Sequence, residues 1–316
     1  MTDELYPRIA VLLPAYNEEA TIAEVVSDYQ KINGNVEVYV FDNNSTDRTS
    51  EFARNAGAIV AHEPKQGKGN VVRRMFADVD ADVYLMADAD GTYDAASSER
   101  LIDELVQNNL DMVVGVRVSD EKEAYRTGHR AGNKFLNGVV KVIFSDQFTD
   151  MLSGFRVFSR RFVKSFPADA SGFEIETELT IHALEMRLPI KEIPTPYMSR
   201  PEGSVSKLRT YQDGFKILYM IIKLLKREKP FAFFGWVSVL LAMLAIVLFI
   251  PVLYTFLETG LVPRLPTAIL SATLMIFSLI SATAGIILKD LSRTAKEAKR
   301  LTYLSIQPPG SATKKD

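Results

Sequence analysis

The stretch VYLMADADGTYD (residues 83–94) begins apolar and then places Asp88, Asp90 and Asp94 within a single turn's reach. The apolar half reads as a buried strand continuing to Asp90. A carboxylate taken out of water without a partner costs several kcal/mol or takes up a proton, so a buried strand that ends in acids needs a compensating charge. A divalent cation supplies one. Gly91 makes a turn easy, and such a turn lets Asp88 and Asp90 converge on one ion, with Asp94 left to cap the next helix. Oxygen donors select Mg2+ or Mn2+, which keep open positions for phosphate oxygens.

The flanking sequence repeats the same alternation. IAVLLPAY, VEVYVFDN, AIVAHE, DVYLMADAD and DMVVGVR read as strands. Between them TIAEVVSDYQKI, STDRTSEFARNAG, GNVVRRMFADV and SSERLIDELVQNN show helical spacing, with Thr21 as an N-cap of the first. This βαβαβαβαβ order predicts an α/β fold with a mostly parallel sheet covered on both faces. Ligands of such sheets bind beyond the carboxyl ends of the strands. There the sequence sets Pro14, Tyr16, Asn17 and Glu18; Asp42, Asn43 and Asn44; Glu63 with the Gly67–Lys68–Gly69 turn; Asp88 and Asp90; and Arg117. Any one of these is an ordinary cap or turn residue. Five successive strand ends with compatible chemistry point to one site.

Familiar alternatives fail on spacing. Counted from Asp88, an EF-hand needs glycine where Tyr93 stands. KQGKGN lacks the leading glycine and the Ser or Thr of a P-loop, and no GxGxxG follows the first strand. The chain has 316 residues, 47% of them hydrophobic, and a formal net charge of −2, which argues against a nucleic-acid surface. It has no cysteine and three histidines without metal-ligand spacing, so thiolate metal sites and Cys nucleophiles are excluded.

Two uncharged apolar runs, 231–257 and 265–288, are each long enough to cross a hydrocarbon core of about 20 helical residues. Paired core helices are the alternative. Pro251 is expected to kink or shorten the first run. Lys223, Lys226, Arg227 and Lys229 precede the hairpin, Lys289, Arg293, Lys296, Lys299 and Arg300 follow it, and the connection holds only Arg264. That bias predicts cytoplasmic termini. Ser278, Ser281, Ala282 and Gly285 form a small-residue face suited to packing within the hairpin or against another subunit. In the preceding segment, Leu208, Tyr211, Phe215, Leu218, Ile222 and Leu225 recur at helical steps among basic residues, as in an interfacial helix or one packed on the sheet. The expected organisation is a catalytic domain over 1–204, an interfacial helix over 205–229, a transmembrane hairpin over 230–289 and a basic cytoplasmic tail over 290–316, polar and disordered at its end.

Taken together, LLPAYNEE, DNNSTDRT, KQGKGNVV, LMADADGTYD, VVGVR, TDMLSGFRVFSR, GFEIETELTIHA and MSRPEGSVSKLR resemble the family 2 glycosyltransferases of the GT-A fold. SGFR and the late Arg-Gly-Ser-Lys segment resemble the polyprenyl-phosphate sugar transferases within it. The resemblance implies that Pro14, Tyr16, Glu18, Asp42, Asn43, Gly67, Lys68, Asp88 and Ala89 bind a nucleotide sugar, UDP- or GDP-linked. Asp88 and Asp90 match the metal-binding DxD motif, and Thr92 stands where many relatives have Gln, as a possible further contact. Arg117, Arg130, Arg156, Arg200, Ser204 and Lys207 are implied around phosphates, with Arg200 favoured for the lipid phosphate. Asp150 is the acid for positioning or base work, or else a cap of the 153–156 turn. The implied reaction is metal-dependent, inverting transfer of a hexose to undecaprenyl or dolichyl phosphate at the cytoplasmic face of the bilayer. Transfer to a glycan or lipid hydroxyl is the alternative, as is a catalytically silent membrane anchor of the same fold. A homo-oligomer formed through the transmembrane helices is a further expectation. A processive polymerase is disfavoured, because QxxRW is absent and Trp236, the single tryptophan, lies in the first span.

Overall fold

The computed structural model describes residues 7–118, 138, 148–172, 174–198, 226 and 229–309. By contact the chain divides into two compact units, Met1–Gly214 with Ala298–Asp316, and Phe215–Glu297.

In the first unit the apolar runs pair as strands: β1 (Arg8–Ala15), β2 (Asn35–Asp42), β3 (Ile59–His62), β4 (Val83–Met86), β5 (Met112–Val118), β6 (Arg156–Ser159) and β7 (Ile190–Pro196). They form one sheet in the order β3-β2-β1-β4-β6-β5-β7. All pairs are parallel except β4–β6 and β5–β6. The mostly parallel α/β sheet expected from the sequence is present. β6 and β7 were not legible as strands: β6 is short and buried throughout, so it shows no alternation, and β7 carries Pro194 and Pro196, which an edge position tolerates. β4 ends at Met86, so the acids lie in the turn beyond it and not on the strand.

One face of the sheet is covered by α1 (Ile22–Tyr29), α2 (Thr49–Asn55) and α4 (Ser97–Gln107), whose Val25, Val26, Leu101 and Leu105 pack on Val11, Leu13 and Leu85. The other is covered by α3 (Lys68–Asp78), α5 (Arg160–Ser165) and α6 (Ile175–Met186), packed on Leu12, Tyr84, Met86 and Phe158. Thr21 is not the acceptor cap the sequence suggested; its hydroxyl donates to the carbonyls of Ala89 (2.8 Å) and Glu18 (3.3 Å), tying α1 to the acidic turn.

The second unit contains α7 (Pro230–Thr259) and most of α8 (Leu265–Leu304). At 1.5 Å per residue they run about 45 and 60 Å, more than a hydrocarbon core of about 30 Å. Pro251 does not shorten α7, which continues to Thr259 and ends at Gly260. Both helices are long and apolar enough to cross a membrane. Their apolar windows are 11% and 17% buried, which is not the burial of core helices. The small-residue face is used inside the hairpin: Ser278 Oγ donates to Ser238 O (2.8 Å), Ser281 Oγ donates to Phe234 O (3.0 Å), and Gly285 faces Phe231 and Phe234.

The basic segment after the second run is not a free tail, because α8 stays helical to Leu304. Its last turns belong to the first unit. There Tyr303 packs on the core and donates its phenol to Asp111 (2.8 Å). Asp111 is fully buried and also accepts from Ser159 Oγ (2.7 Å) and from Arg161 Nε (2.5 Å) and Nη2 (3.0 Å). The Arg161 guanidinium covers the Tyr303 ring at 4.7 Å, and Lys299 pairs with Glu185 at 3.0 Å. Burial and the hydrogen bond to Asp111 push the Tyr303 phenol above its ordinary range.

Candidate active site at the carboxyl edge of the sheet

Because β1 to β4 are parallel, their carboxyl ends share one edge, and the antiparallel β6 brings the residues before it, 153–155, to that same edge. The β1–α1 turn holds Pro14, Tyr16 and Glu18 half-buried. It is clipped to the loop after β2: Asn17 Oδ1 accepts from Thr46 N (2.8 Å), and Glu18 N donates to Thr49 Oγ1 (2.8 Å).

Asp42 ends β2 and uses its carboxylate on Ser45 N (2.9 Å) and Ser50 Oγ (2.6 Å), which shapes the loop beside the nucleotide position expected for it. The Asn43 amide donates to Glu63 O (2.9 Å) and Lys65 O (2.8 Å) and accepts from Gly67 N (2.7 Å), so it clamps the β3–α3 turn. Gly67 is required there: it sits at φ +129°, and a Cβ on it would lie 2.2 Å from Ser171 O.

That turn delivers Lys68 to the acids. Its ammonium forms a short ion pair with Asp88 Oδ1 and a second, at 2.5 Å, with Glu176 Oε1 at the start of α6. Burial alone would lower the Lys68 amino group; the charges of Asp88 and Glu176 outweigh that effect and hold it above its ordinary value. Glu176 is the principal site residue that the strand-end pattern missed. Nothing local in GFEIETE singled it out, because Glu174 and Glu178 flank it at the same spacing and only the fold buries Glu176.

Asp88 lies against Gly154, where a Cβ would stand 3.0 Å from its Oδ2. The glycine of SGFR is thus the floor under the first acid of DAD. Gly154 N donates to the Tyr93 phenol (2.9 Å), and Tyr93 stacks on Phe155 at 5.2 Å. Gly91 turns the chain at φ +71°, as expected, with Ala89 buried beside it. Asp90 is buried, and its Oδ1 accepts both from Thr92 Oγ1 (2.6 Å) and from Thr92 N (3.2 Å). Asp94 serves the following helix, accepting from Ser97 Oγ (2.6 Å) and Ala96 N (3.2 Å). On the α1 side a cavity of about 610 Å3 reaches Asp88 and Gly91 and is bordered by Glu24, Asp28, Asp94 and Glu99.

Arg117, at the end of β5, makes a two-pronged pair with Asp150, Nε and Nη2 each 2.7 Å from a carboxylate oxygen. Both carboxylate oxygens of Asp150 are thus engaged by Arg117. Burial pushes its carboxyl up, but the hydrogen bonds and charge of Arg117 outweigh this and hold it below the ordinary range. Arg156 is fully buried, and its guanidinium donates to Ser153 O (2.8 Å), Met151 O (2.6 Å) and Thr180 Oγ1 (2.9 Å), which fixes the turn under the site. Burial pushes it down to about 10, so it stays charged at neutral pH. Arg130, Arg200, Ser204, Lys207 and nearly all of the expected interfacial helix lie outside the described residues.

No group of three or more His, Cys, Asp or Glu side chains capable of caging a metal occurs among the described residues. Asp88, whose side chain is 31% exposed, carries the oxygen chemistry that a hard cation takes, and in this structure its charge is met by the Lys68 ammonium.

The carboxyl edge of this mostly parallel sheet gathers acids, a lysine and an arginine, and the family model "Glycosyl transferase family 2" matches residues 10–166. The chain belongs to that family and is a glycosyltransferase. Glycosyltransferase AglJ of Haloferax volcanii is 36% identical over 73% of this chain and 76% of its own. The dolichyl-phosphate hexose transferase of the same organism is 29% identical over 72% of this chain and 99% of its own. Among solved structures, glucosyl-3-phosphoglycerate synthase from Mycobacterium tuberculosis, in complex with Mn2+, UDP-glucose and glycerol 3-phosphate, has a TM-score of 0.58 and 25% identity over 70% of this chain and 80% of its own.

Proposed function

We propose that the chain transfers a hexose, with inversion, from a UDP- or GDP-sugar to a polyprenyl phosphate, undecaprenyl or dolichyl, at the cytoplasmic face of a membrane. The observation that carries this is the presence, in one chain, of an acid–lysine cluster at the carboxyl edge of the sheet and two exposed apolar helices of membrane-spanning length. A polyprenyl tail stays in the bilayer, so its transferase must work at the surface. The dolichyl-phosphate acceptor in a relative's name and the Mn2+ with UDP-glucose in the solved neighbour support the substrate classes.

Asp88 and Asp90 are the residues to hold Mg2+ or Mn2+, which supplies charge stabilisation to a departing nucleoside diphosphate. Pro14, Tyr16, Glu18 and Asp42 border the nucleotide, and Lys68 stands where it can turn from Asp88 to a diphosphate oxygen. Arg117 offers positive charge beside the site while Asp150 fixes its orientation. A phosphate acceptor is already anionic and needs no base to deprotonate it, whereas a sugar hydroxyl does. The commitment of Asp150 to Arg117 supports the phosphate acceptor over a hydroxyl. Basic residues flanking α7 and α8 support cytoplasmic termini, with the catalytic domain (1–204), the interfacial helix (205–229) and Arg130, Arg200, Ser204 and Lys207 on that side.

The test is to incubate the membrane-embedded protein with Mn2+, undecaprenyl or dolichyl phosphate and a panel of UDP- and GDP-sugars. The expected product is a lipid-linked sugar formed from the phosphorylated lipid and not from the free polyprenol. Equal use of the free alcohol, or transfer only to a glycan, would move the assignment to the hydroxyl-acceptor class.

A further inference from the structure

We infer that Lys68 is a stand-in for the divalent cation: its ammonium and the cation compete for Asp88, and Glu176 keeps the displaced ammonium inside the site. Lys68 Nζ lies between the two acids, in short contact with Asp88 Oδ1 and 2.5 Å from Glu176 Oε1. The two ends of this bridge differ. Lys68 and Glu176 are withdrawn from water, whereas Asp88 remains in contact with it. The withdrawn end is also fixed by backbone packing. A Cβ on Gly69 would stand 2.3 Å from Ala170 O, so the first turn of α3 rests directly on the segment that leads into α6, and Glu176 lies in the first turn of α6.

A dication and an ammonium on one carboxylate repel each other. An ion arriving from solvent meets the exposed member of the bridge, Asp88, and pushes the ammonium off it. Glu176 is already in contact with that ammonium, so the lysine keeps a counter-ion and its charge is not left alone in a buried place. Asp88 is therefore neutralised in both states, by the lysine before the cation binds and by the cation afterwards. Binding of the cation also frees Lys68 from Asp88, which makes its ammonium available to an anionic ligand in the same step.

This rests on Asp88 as a ligand of the divalent cation, and the experiment separates the two ideas. Mn2+ binding to the full-length protein in detergent is followed by the electron paramagnetic resonance of free Mn2+ for wild type, K68M, E176Q, K68M/E176Q and D88N. Thermal unfolding is measured alongside. K68M is expected to bind Mn2+ at least about tenfold more tightly than wild type, since a dication and an ammonium about 4 Å apart repel by that much even at the dielectric of water. Damage to the site would weaken binding, so the sign of the change separates competition from a structural role. K68M/E176Q should likewise bind more tightly than E176Q, a comparison that holds even where K68M alone does not fold. E176Q, in which the ammonium rests on Asp88 alone, should bind more weakly than wild type, and equal binding overturns the part given to Glu176. Lys68 variants that bind Mn2+ no more tightly than their lysine-bearing counterparts overturn the competition while the metal assignment stands. D88N binding Mn2+ undiminished, or wild type binding none, overturns both.

Discussion

Lys68 is the cation that holds the site's acids together, and its removal should be felt as a buried charge that has lost its paired ammonium. Its side chain is 9% exposed and that of Glu176 is 6%, whereas Asp88, at 31%, keeps contact with water. In K68M the methionine fills most of the volume, Asp88 is rescued largely by solvent, and Glu176 loses its paired ammonium and keeps only the more distant charge of Arg156. Breaking a buried pair from one side costs about 3–5 kcal/mol. At about 2–4 °C per kcal/mol for a unit of this size, thermal unfolding should fall by about 6–20 °C. E176Q alone leaves Lys68 paired with Asp88 and should cost about 1.5–3 kcal/mol, the worth of a hydrogen bond to a charged group. In K68M/E176Q both members of the Lys68–Glu176 pair are neutral, and the double variant should be more stable than K68M despite carrying one more substitution. Thermal unfolding of all three in detergent, followed by circular dichroism, measures this. A double variant no more stable than K68M would refute the reasoning, because the cost would then come from lost packing and not from the charge on Glu176.

D150N should lose about 3 kcal/mol at neutral pH by removing the charge from the two-pronged pair with Arg117. Since the folded carboxyl lies below its ordinary value, that stabilisation is full above about pH 4 and disappears as pH falls through the lowered value, so wild type and D150N should converge in acid unfolding experiments. Y303F should cost about 1.5–3 kcal/mol by removing one donor from the buried Asp111, read as a lower unfolding temperature of the catalytic unit; an unchanged temperature would mean that the end of α8 is not held there.

The acidic turn was legible because two carboxylates after an apolar strand violate the ordinary rule of burial, and such a violation is visible in one dimension. The same holds for the strand-end residues that follow from the βαβ alternation, and for the two apolar runs. The partners of Asn43 and Arg156 were not legible, because a polar residue in a motif looks the same in sequence whether it faces a ligand or satisfies buried backbone carbonyls. Only their partners, Gly67 N with Glu63 O and Lys65 O for one, Met151 O and Ser153 O for the other, decide between these roles.

By itself the sequence determined the α/β class, the parallel first half of the sheet, the edge on which chemistry gathers and the place of the two apolar runs, since each rests on periodicity or local composition. Tertiary structure decided what depends on contact between distant segments. It inserted β6 antiparallel beside β4, so that Gly154 lies beneath Asp88, and it brought Glu176 to Lys68 across more than a hundred residues of chain. It also carried Tyr303 to Asp111. A buried charge selects its partner by proximity in space, and spacing along a chain holds no record of that.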